Sequence, residues 1–336
     1  MLFLLLSAQI VLGAPSVVVR SQEVDLPSTP GPKELAQEIW HFTWAVERMY
    51  RQEGAQTIFD TTITRDKNGF RSVADTESKK QLRYHLFIAG CSFTFGEGLN
   101  DADTFPAMLS PRLPETRVVN MGAPGVGVSE HLYLWRNFNW NQRYPEQEGL
   151  LLYSMIEDHF ERLARNWRYL DWARDSIPYY EQRDGKLVYT GILRETTGYR
   201  WAQFIKKLGI SEWWLRGASH FTPYILKDSV PNMIAHLTEL RAAYLQQFPK
   251  GRFIVTWRPY FPPWTSDERK KEILDALTEA KIEFWDHTPD WPYFQSTGGQ
   301  NGRIIIGDGH TNAFSNREYT EHLSRQIKST TSRPAL

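Results

Sequence analysis

The chain has 336 residues, with 39 Lys and Arg against 39 Asp and Glu, so its formal net charge is zero. A protein built to grip a phosphate backbone needs a basic surplus, so nucleic acid is excluded as a main partner. Hydrophobic residues at 41% and charged residues at 23% describe a globular chain rather than a disordered one. The single cysteine, Cys91, excludes an intrachain disulfide framework and any multi-cysteine zinc site. Thirteen tryptophans stand out. Such rings build core, and they also make flat surfaces on which sugar rings stack.

Residues 1–19 carry an apolar run from Leu2 to Gly13, broken only by Ser7 and Gln9, with small residues at Gly13, Ala14 and Ser16. The run is shorter than the ~20 residues that span a bilayer. It reads as a signal-peptide core and cleavage region, although no Lys or Arg precedes it. The alternative is a short buried helix. Export without disulfides fits a bacterial periplasm or the extracellular space, with no integral membrane span left after signal removal. Residues 20–80 form an N-terminal extension. Val24 to Pro32 is a polar linker, and Glu34 to Arg51 is expected to be helical from Leu35, Ile39, Phe42, Val46 and Tyr50. Phe59 to Arg71 alternates and turns at Asn68-Gly69, which predicts a short hairpin.

From residue 81 to 330 strands and helices alternate. Strands are expected at Tyr84–Ala89, Arg117–Met121, Leu150–Ile156, Phe253–Trp257 and Ile282–Trp285. Helices are expected at Ser129–Asn137, Pro231–Gln247, Asp267–Ala280 and Ser315–Lys328. This is the pattern of a three-layer α/β protein with a parallel five-stranded sheet, whose ligands bind beyond the C-terminal strand ends. About residues 160–228 break the alternation and are rich in Trp and Tyr. They form an insertion, either folded over the site or extending the scaffold.

Two strand ends and a segment near the C-terminus carry chemistry. Gly90-Cys91-Ser92-Phe93-Thr94-Phe95-Gly96 puts a serine just past a buried strand, where its hydroxyl and its backbone N–H can face one point. Alone, such a segment is also an ordinary turn. Asn120-Met121-Gly122 places a glycine where backbone N–H can approach a ligand, or simply where a strand turns into a helix. Ile304-Ile305-Ile306-Gly307-Asp308-Gly309-His310-Thr311-Asn312 drives an apolar triplet into the body. An extended backbone would then point Asp308 and His310 to the same side, so the carboxylate can orient the imidazole. A capped loop with a satisfied polar pair is the plainer reading.

Taken together, these blocks resemble those of the SGNH (GDSL-like) hydrolase family, over roughly Tyr84 to Ile327 without the insertion. Cys91 stands where the family's first block has Asp, and Asp308-Gly309-His310 with Asn312 is similar to its fifth block. The resemblance implies a flavodoxin-like three-layer α/β/α sandwich that moves acyl groups through a serine ester. It implies Ser92 as nucleophile, His310 as general base and Asp308 as its orienting partner, with the N–H groups of Ser92 and Gly122 in the oxyanion hole. The Asp-x-His spacing is shorter than the usual Asp-x-x-His and resembles that of alginate O-acetylation proteins. The third block, normally Gly-x-Asn-Asp, is replaced by Met155-Ile156-Glu157-Asp158-His159-Phe160-Glu161-Arg162. His159 and Arg162 are the candidates to replace its asparagine; otherwise Glu157, Asp158 and Arg162 form a structural ion-pair cluster. No metal site and no cofactor are expected. The implied substrate is a small-molecule or polysaccharide acyl ester, foremost O-acetyl groups on a carbohydrate or cell-envelope polymer. An acyltransferase with the same triad, or a non-catalytic carbohydrate-binding protein, are the alternatives. Oligomeric state is not legible.

Overall fold

The computed structural model of the chain describes residues 17–23, 44–74, 79, 81–164, 177–207, 223–258, 267–287 and 302–331. The expected segment 1–19 lies outside them up to residue 16, while its last residues, Val17 to Val19, belong to a strand paired with Arg48–Tyr50; the linker from Val24 also lies outside. Near the N-terminus, β1 (Val17–Glu23), β2 (Trp44–Glu53) and β3 (Gln56–Thr64) form an antiparallel meander, turned between β2 and β3 at Gly54 with φ 59°. The helix expected over Glu34–Arg51 is therefore overturned from Trp44 onward; residues 34–43 lie outside the described residues. The reason is pairing. Glu47 and Met49 face inward on alternate positions, and Arg65 neutralises the buried Glu47 at 3.2 Å. A charged residue on the inner face hid the period of two. The expected hairpin over Phe59–Arg71 is also corrected. Its first half is β3, paired with β2, while Asn68-Gly69 closes a tight turn that joins Arg65 to Arg71 by a single bridge.

The rest alternates as expected: β4 (Tyr84–Gly90), α1 (Ser92–Phe95), α2 (Phe105–Leu109), β5 (Thr116–Asn120), α3 (Val128–Asn137), β6 (Glu148–Met155) and α4 (Asp158–Ala164). After them come β7 (Pro178–Arg183), β8 (Lys186–Ile192), α5 (Thr197–Lys207), α6 (Pro223–Gln247), β9 (Lys250–Trp257), α7 (Asp267–Glu279), β10 (Glu283–Asp286) and α8 (Ala313–Thr331). The five expected strands pair in parallel in the order β10-β9-β6-β4-β5. This is the doubly wound flavodoxin-like order, with the switch point beside β4. Each strand feeds two layers. Phe87 and Ala89 of β4 pack with α3 and α6, while Leu86 and Ile88 pack with α2 and α8. That explains the continuous apolar runs, since both faces are covered.

The β7–β8 hairpin of the insertion is scaffold. Tyr180 and Leu187 of the β7–β8 hairpin join the main core on the α3–α6 side, and Arg136 of α3 donates to the Leu187 carbonyl at 2.9 Å. Trp167, Trp172, Trp213 and Trp214 lie outside the described residues.

Candidate active site

Ser92 opens α1, a single turn that Gly96 ends in the left-handed region at φ 85°. Two glycines set its position by close approach. A Cβ on Gly90 would lie 2.1 Å from Thr94 Oγ1, and one on Gly122 would lie 2.4 Å from the Phe95 backbone nitrogen. So the turn after β5 touches α1 backbone to backbone, and the end of β4 packs under the Thr94 side chain. Arg71, fully buried, locks the far end of the turn from the N-terminal extension. Its guanidinium donates to the carbonyls of Phe95 at 2.8 Å, Gly96 at 2.6 Å and Leu99 at 2.5 Å, and to Asp101 at 2.9 Å.

The loop before α8 brings the other two groups. Ile305 packs with Met49, Phe59, Ile63 and Phe95, while Ile306 is exposed, so only part of the triplet enters the body. The backbone between Asp308 and His310 is not extended. Gly307 and Gly309 take positive φ, and Asp308 Oδ2 accepts the His310 N–H at 3.2 Å within a tight turn. The result is still convergent. The Ser92 hydroxyl donates to His310 Nε2 at 2.8 Å, and His310 Nδ1–H donates to Asp308 Oδ2 at 2.5 Å.

Two further charges complete the cluster, and neither was anticipated. Arg51 of β2 donates to Asp308 Oδ1 at 2.6 Å, so the N-terminal sheet reaches the Asp–His pair. Glu97 stands on the opposite side, its Oε2 3.8 Å from His310 Nε2. Burial alone would raise the Asp308 carboxyl, but its bonds to His310 and the nearby Arg51 outweigh that and hold it below its usual 3.8. Burial would likewise lower the His310 imidazole. Glu97 and Asp308 outweigh it, against a smaller opposing push from Arg162, and the net direction is up from 6.5. Among the described residues, the His, Cys, Asp and Glu atoms close enough to converge on a metal are those of Glu97, Asp308 and His310, within 4.8 Å. Glu157, Asp158 and His159 do not form such a group.

The oxyanion candidates separate. The Ser92 N–H begins α1, where helix geometry supplies no intrahelical partner. The Gly122 N–H is already engaged, donating to the buried Asn120 Oδ1 at 3.1 Å. His159 is fully buried and hydrogen-bonded through Nδ1 to the Tyr153 hydroxyl at 2.8 Å. Arg162 donates to the Val126 carbonyl in the loop after Gly122 at 2.5 Å. Glu157 accepts from the Trp257 indole at 3.1 Å, and burial pushes its carboxyl up to about 7. Arg258, at the end of β9, ties the two halves of the site. It donates to the Phe93 carbonyl at 3.1 Å, to Thr311 Oγ1 at 2.9 Å and to Asn316 Oδ1 at 2.6 Å, and burial lowers it to about 10. Among the other histidines, His85 bonds the Glu146 carbonyl and the Tyr244 hydroxyl, both at 2.7 Å, and burial lowers it to about 4.

Fold and site thus define a three-layer α/β protein carrying a hydrogen-bonded Ser–His–Asp line beyond the C-terminal ends of its strands. No family model and no curated protein sequence matches the chain. Solved structures with similarity include a member of the lipolytic protein G-D-S-L family from Veillonella parvula, at 12% identity and TM-score 0.40, covering 73% of this chain and 97% of that one. A family two carbohydrate esterase from Clostridium thermocellum, solved in complex with cellohexaose, shows 11% identity and TM-score 0.42, covering 75% and 66%. The aryl esterase of M. smegmatis shows 12% identity and TM-score 0.39, covering 73% and 99%.

Proposed function

We propose that this chain is a serine ester hydrolase that works through an acyl-enzyme, with O-acyl esters of a carbohydrate as its substrate class. The observation that carries the reading is the line from Ser92 Oγ through His310 to Asp308, with bonds of 2.8 and 2.5 Å. A serine hydroxyl becomes a nucleophile when a base takes its proton. Here Ser92 Oγ attacks the ester carbon as its proton passes to His310 Nε2. Asp308 keeps the Nδ1–H in place and stabilises the imidazolium. The C–O bond to the alcohol then breaks, and His310 returns the proton to the departing oxygen. Water repeats the sequence and frees Ser92.

The oxyanion would accept from the Ser92 N–H. A single such donor is worth about 2.7–4 kcal/mol in the barrier. Gly122 can serve only by giving up its bond to Asn120. Arg162 is the better substitute for the missing third-block donor, because it is cationic and already donates to the loop after Gly122, whereas His159 is fully buried against Tyr153. The carbohydrate class rests on the excess of Trp and Tyr and on export, which the apolar run from Leu2 to Gly13 suggests. No described helix is long and apolar enough to cross a membrane.

The test is acetate release from acetylated glycans and small acetyl esters. Release by the wild type that Ser92→Ala lacks supports the reading, and equal background rates refute it. Two observations favour a second reading, a non-catalytic glycan-binding protein: the occupied Gly122 N–H and the absent third-block asparagine. Glycan binding without turnover would be its signature. Transfer of the acyl group to an added sugar hydroxyl would instead mark an acyltransferase.

A further inference from the structure

Glu97 is a carboxylate with an unusual placement. Its N–H donates to the Ser92 carbonyl at 3.0 Å, and it sits between Gly96 and Gly98, both at positive φ. Arg71 grips the carbonyls of Gly96 and Leu99 on either side. Gly98, at φ 76°, packs against the side chains of Ile305 and Phe59, where a Cβ would lie 2.6 and 3.0 Å from them. The side chain is only 16% exposed, yet no hydrogen-bond donor among the described residues reaches its carboxylate; its one ionic neighbour is His310 Nε2 at 3.8 Å. A partly desolvated carboxylate without donors is costly, and a ligand that supplies one relieves the cost.

The position of that ligand follows from the reaction. The alcohol oxygen of the ester takes its proton from His310 Nε2, so it must come within about 3 Å of that atom. Glu97 Oε2 borders the same nitrogen. A hydroxyl on the carbon next to the ester oxygen therefore falls within reach of the carboxylate, whereas an anionic group there meets a like charge. Resting on the esterase reading above, we propose that Glu97 is a specificity-determining residue. It accepts a hydrogen bond from a hydroxyl beside the scissile ester on a neutral polyol and turns away esters of anionic sugars. The charged groups facing His310 are then Asp308, Glu97 and, at longer range, Arg162, with Arg51 acting behind Asp308.

The test compares wild type, Glu97→Gln and Glu97→Ala on three probes: 4-nitrophenyl acetate, a monoacetylated methyl glycoside of a neutral sugar, and the matching acetylated methyl uronate. A hydrogen bond to a charged group is worth roughly a 10–100-fold change in an equilibrium or rate ratio. Wild type is expected to favour the neutral glycoside over the uronate by at least about tenfold. Glu97→Gln should erase that preference by raising kcat/KM for the uronate, and Glu97→Ala should also lower kcat/KM for the neutral glycoside. The acid limb of kcat/KM should move to lower pH in both variants, because the carboxylate that favours imidazolium is gone; a merely structural role would not move it. An unchanged neutral-to-uronate ratio in Glu97→Gln, with active enzyme on the nitrophenyl ester, overturns the proposal alone. Absence of nitrophenyl ester turnover and of fluorophosphonate labelling in folded wild type overturns the esterase reading and this proposal with it.

Discussion

Replacing Arg51 by methionine removes the guanidinium that donates to Asp308 Oδ1 at 2.6 Å while keeping much of the aliphatic stem. Asp308 has a side-chain exposure of 2%, so its carboxylate relies on protein donors. Breaking one side of a buried pair costs about 3–5 kcal/mol. Two local facts place this case near the lower bound. His310 still donates to the other oxygen at 2.5 Å, and the second partner of Arg51, Glu53 at 3.3 Å, has 38% exposure and adds little. The expected loss is about 3 kcal/mol of unfolding free energy, read from urea denaturation. Activity should fall too, by up to about 10²-fold in kcat/KM, because the Asp–His pair is no longer held in register. The pH profile gives the sharper sign. Without the cation, Asp308 rises and His310 becomes more basic, so the acid limb moves to higher pH, opposite to the direction expected for Glu97→Gln. A variant as stable as wild type, with its acid limb unmoved, would refute the claim that the N-terminal sheet acts through Asp308.

Other substitutions probe the frame of the site. Gly122→Ala puts a Cβ 2.4 Å from the Phe95 backbone nitrogen, which has no rotamer to escape into. It should cost about 1–3 kcal/mol or more, measured by thermal or urea unfolding. Arg258→Met removes the donor to the Phe93 carbonyl, Thr311 Oγ1 and Asn316 Oδ1, leaving the last two the 3.2 Å bond between them. It should lower stability by about 2–4 kcal/mol and kcat more than KM, seen in paired denaturation and kinetic assays. Stability should also carry the mark of the Asp–His pair. Asp308 is held low, so its contribution is present above about pH 4 and is lost as pH falls through its folded value. His310 is held high, so its contribution is full below about pH 6.5 and is lost as pH rises through its folded value. The stability difference between wild type and an Asp308→Ala, His310→Ala variant should therefore peak between about pH 4 and 6.5.

The five parallel strands were legible because burial on both faces leaves an unbroken apolar run, as in Leu86–Ala89 and Leu150–Tyr153. The Ser92, Asp308 and His310 constellation was legible because a glycine marks the end of β4 just before Ser92, and glycines flank Asp308 in the loop before the last helix. Strand β2 was not. Its inner face carries Glu47 and Arg51, whose charges are matched by Arg65 and Asp308 from distant parts of the chain. Nothing local announces a buried charge that finds its partner 257 positions away. Arg71 was missed because it acts mainly on backbone carbonyls that any sequence could offer, and Arg258 because its side-chain partners, Thr311 and Asn316, lie more than 50 positions away. Glu97 had a local signal, a carboxylate between two glycines five residues after the serine, but its meaning depends on where the last loop brings His310. The role foreseen for Gly122 met a competitor in Asn120, two residues before it, whose side chain takes the N–H that an oxyanion would need.

The central claim is that Ser92 is an activated nucleophile. The most direct measurement is fluorophosphonate treatment of the intact protein, followed by intact mass and peptide mapping, beside Ser92→Ala and Asp308→Asn. The account predicts one adduct on Ser92 in the wild type, none in Ser92→Ala, and much slower labelling in Asp308→Asn. Folded wild type that takes up no probe, or an adduct that persists in Ser92→Ala, would contradict it.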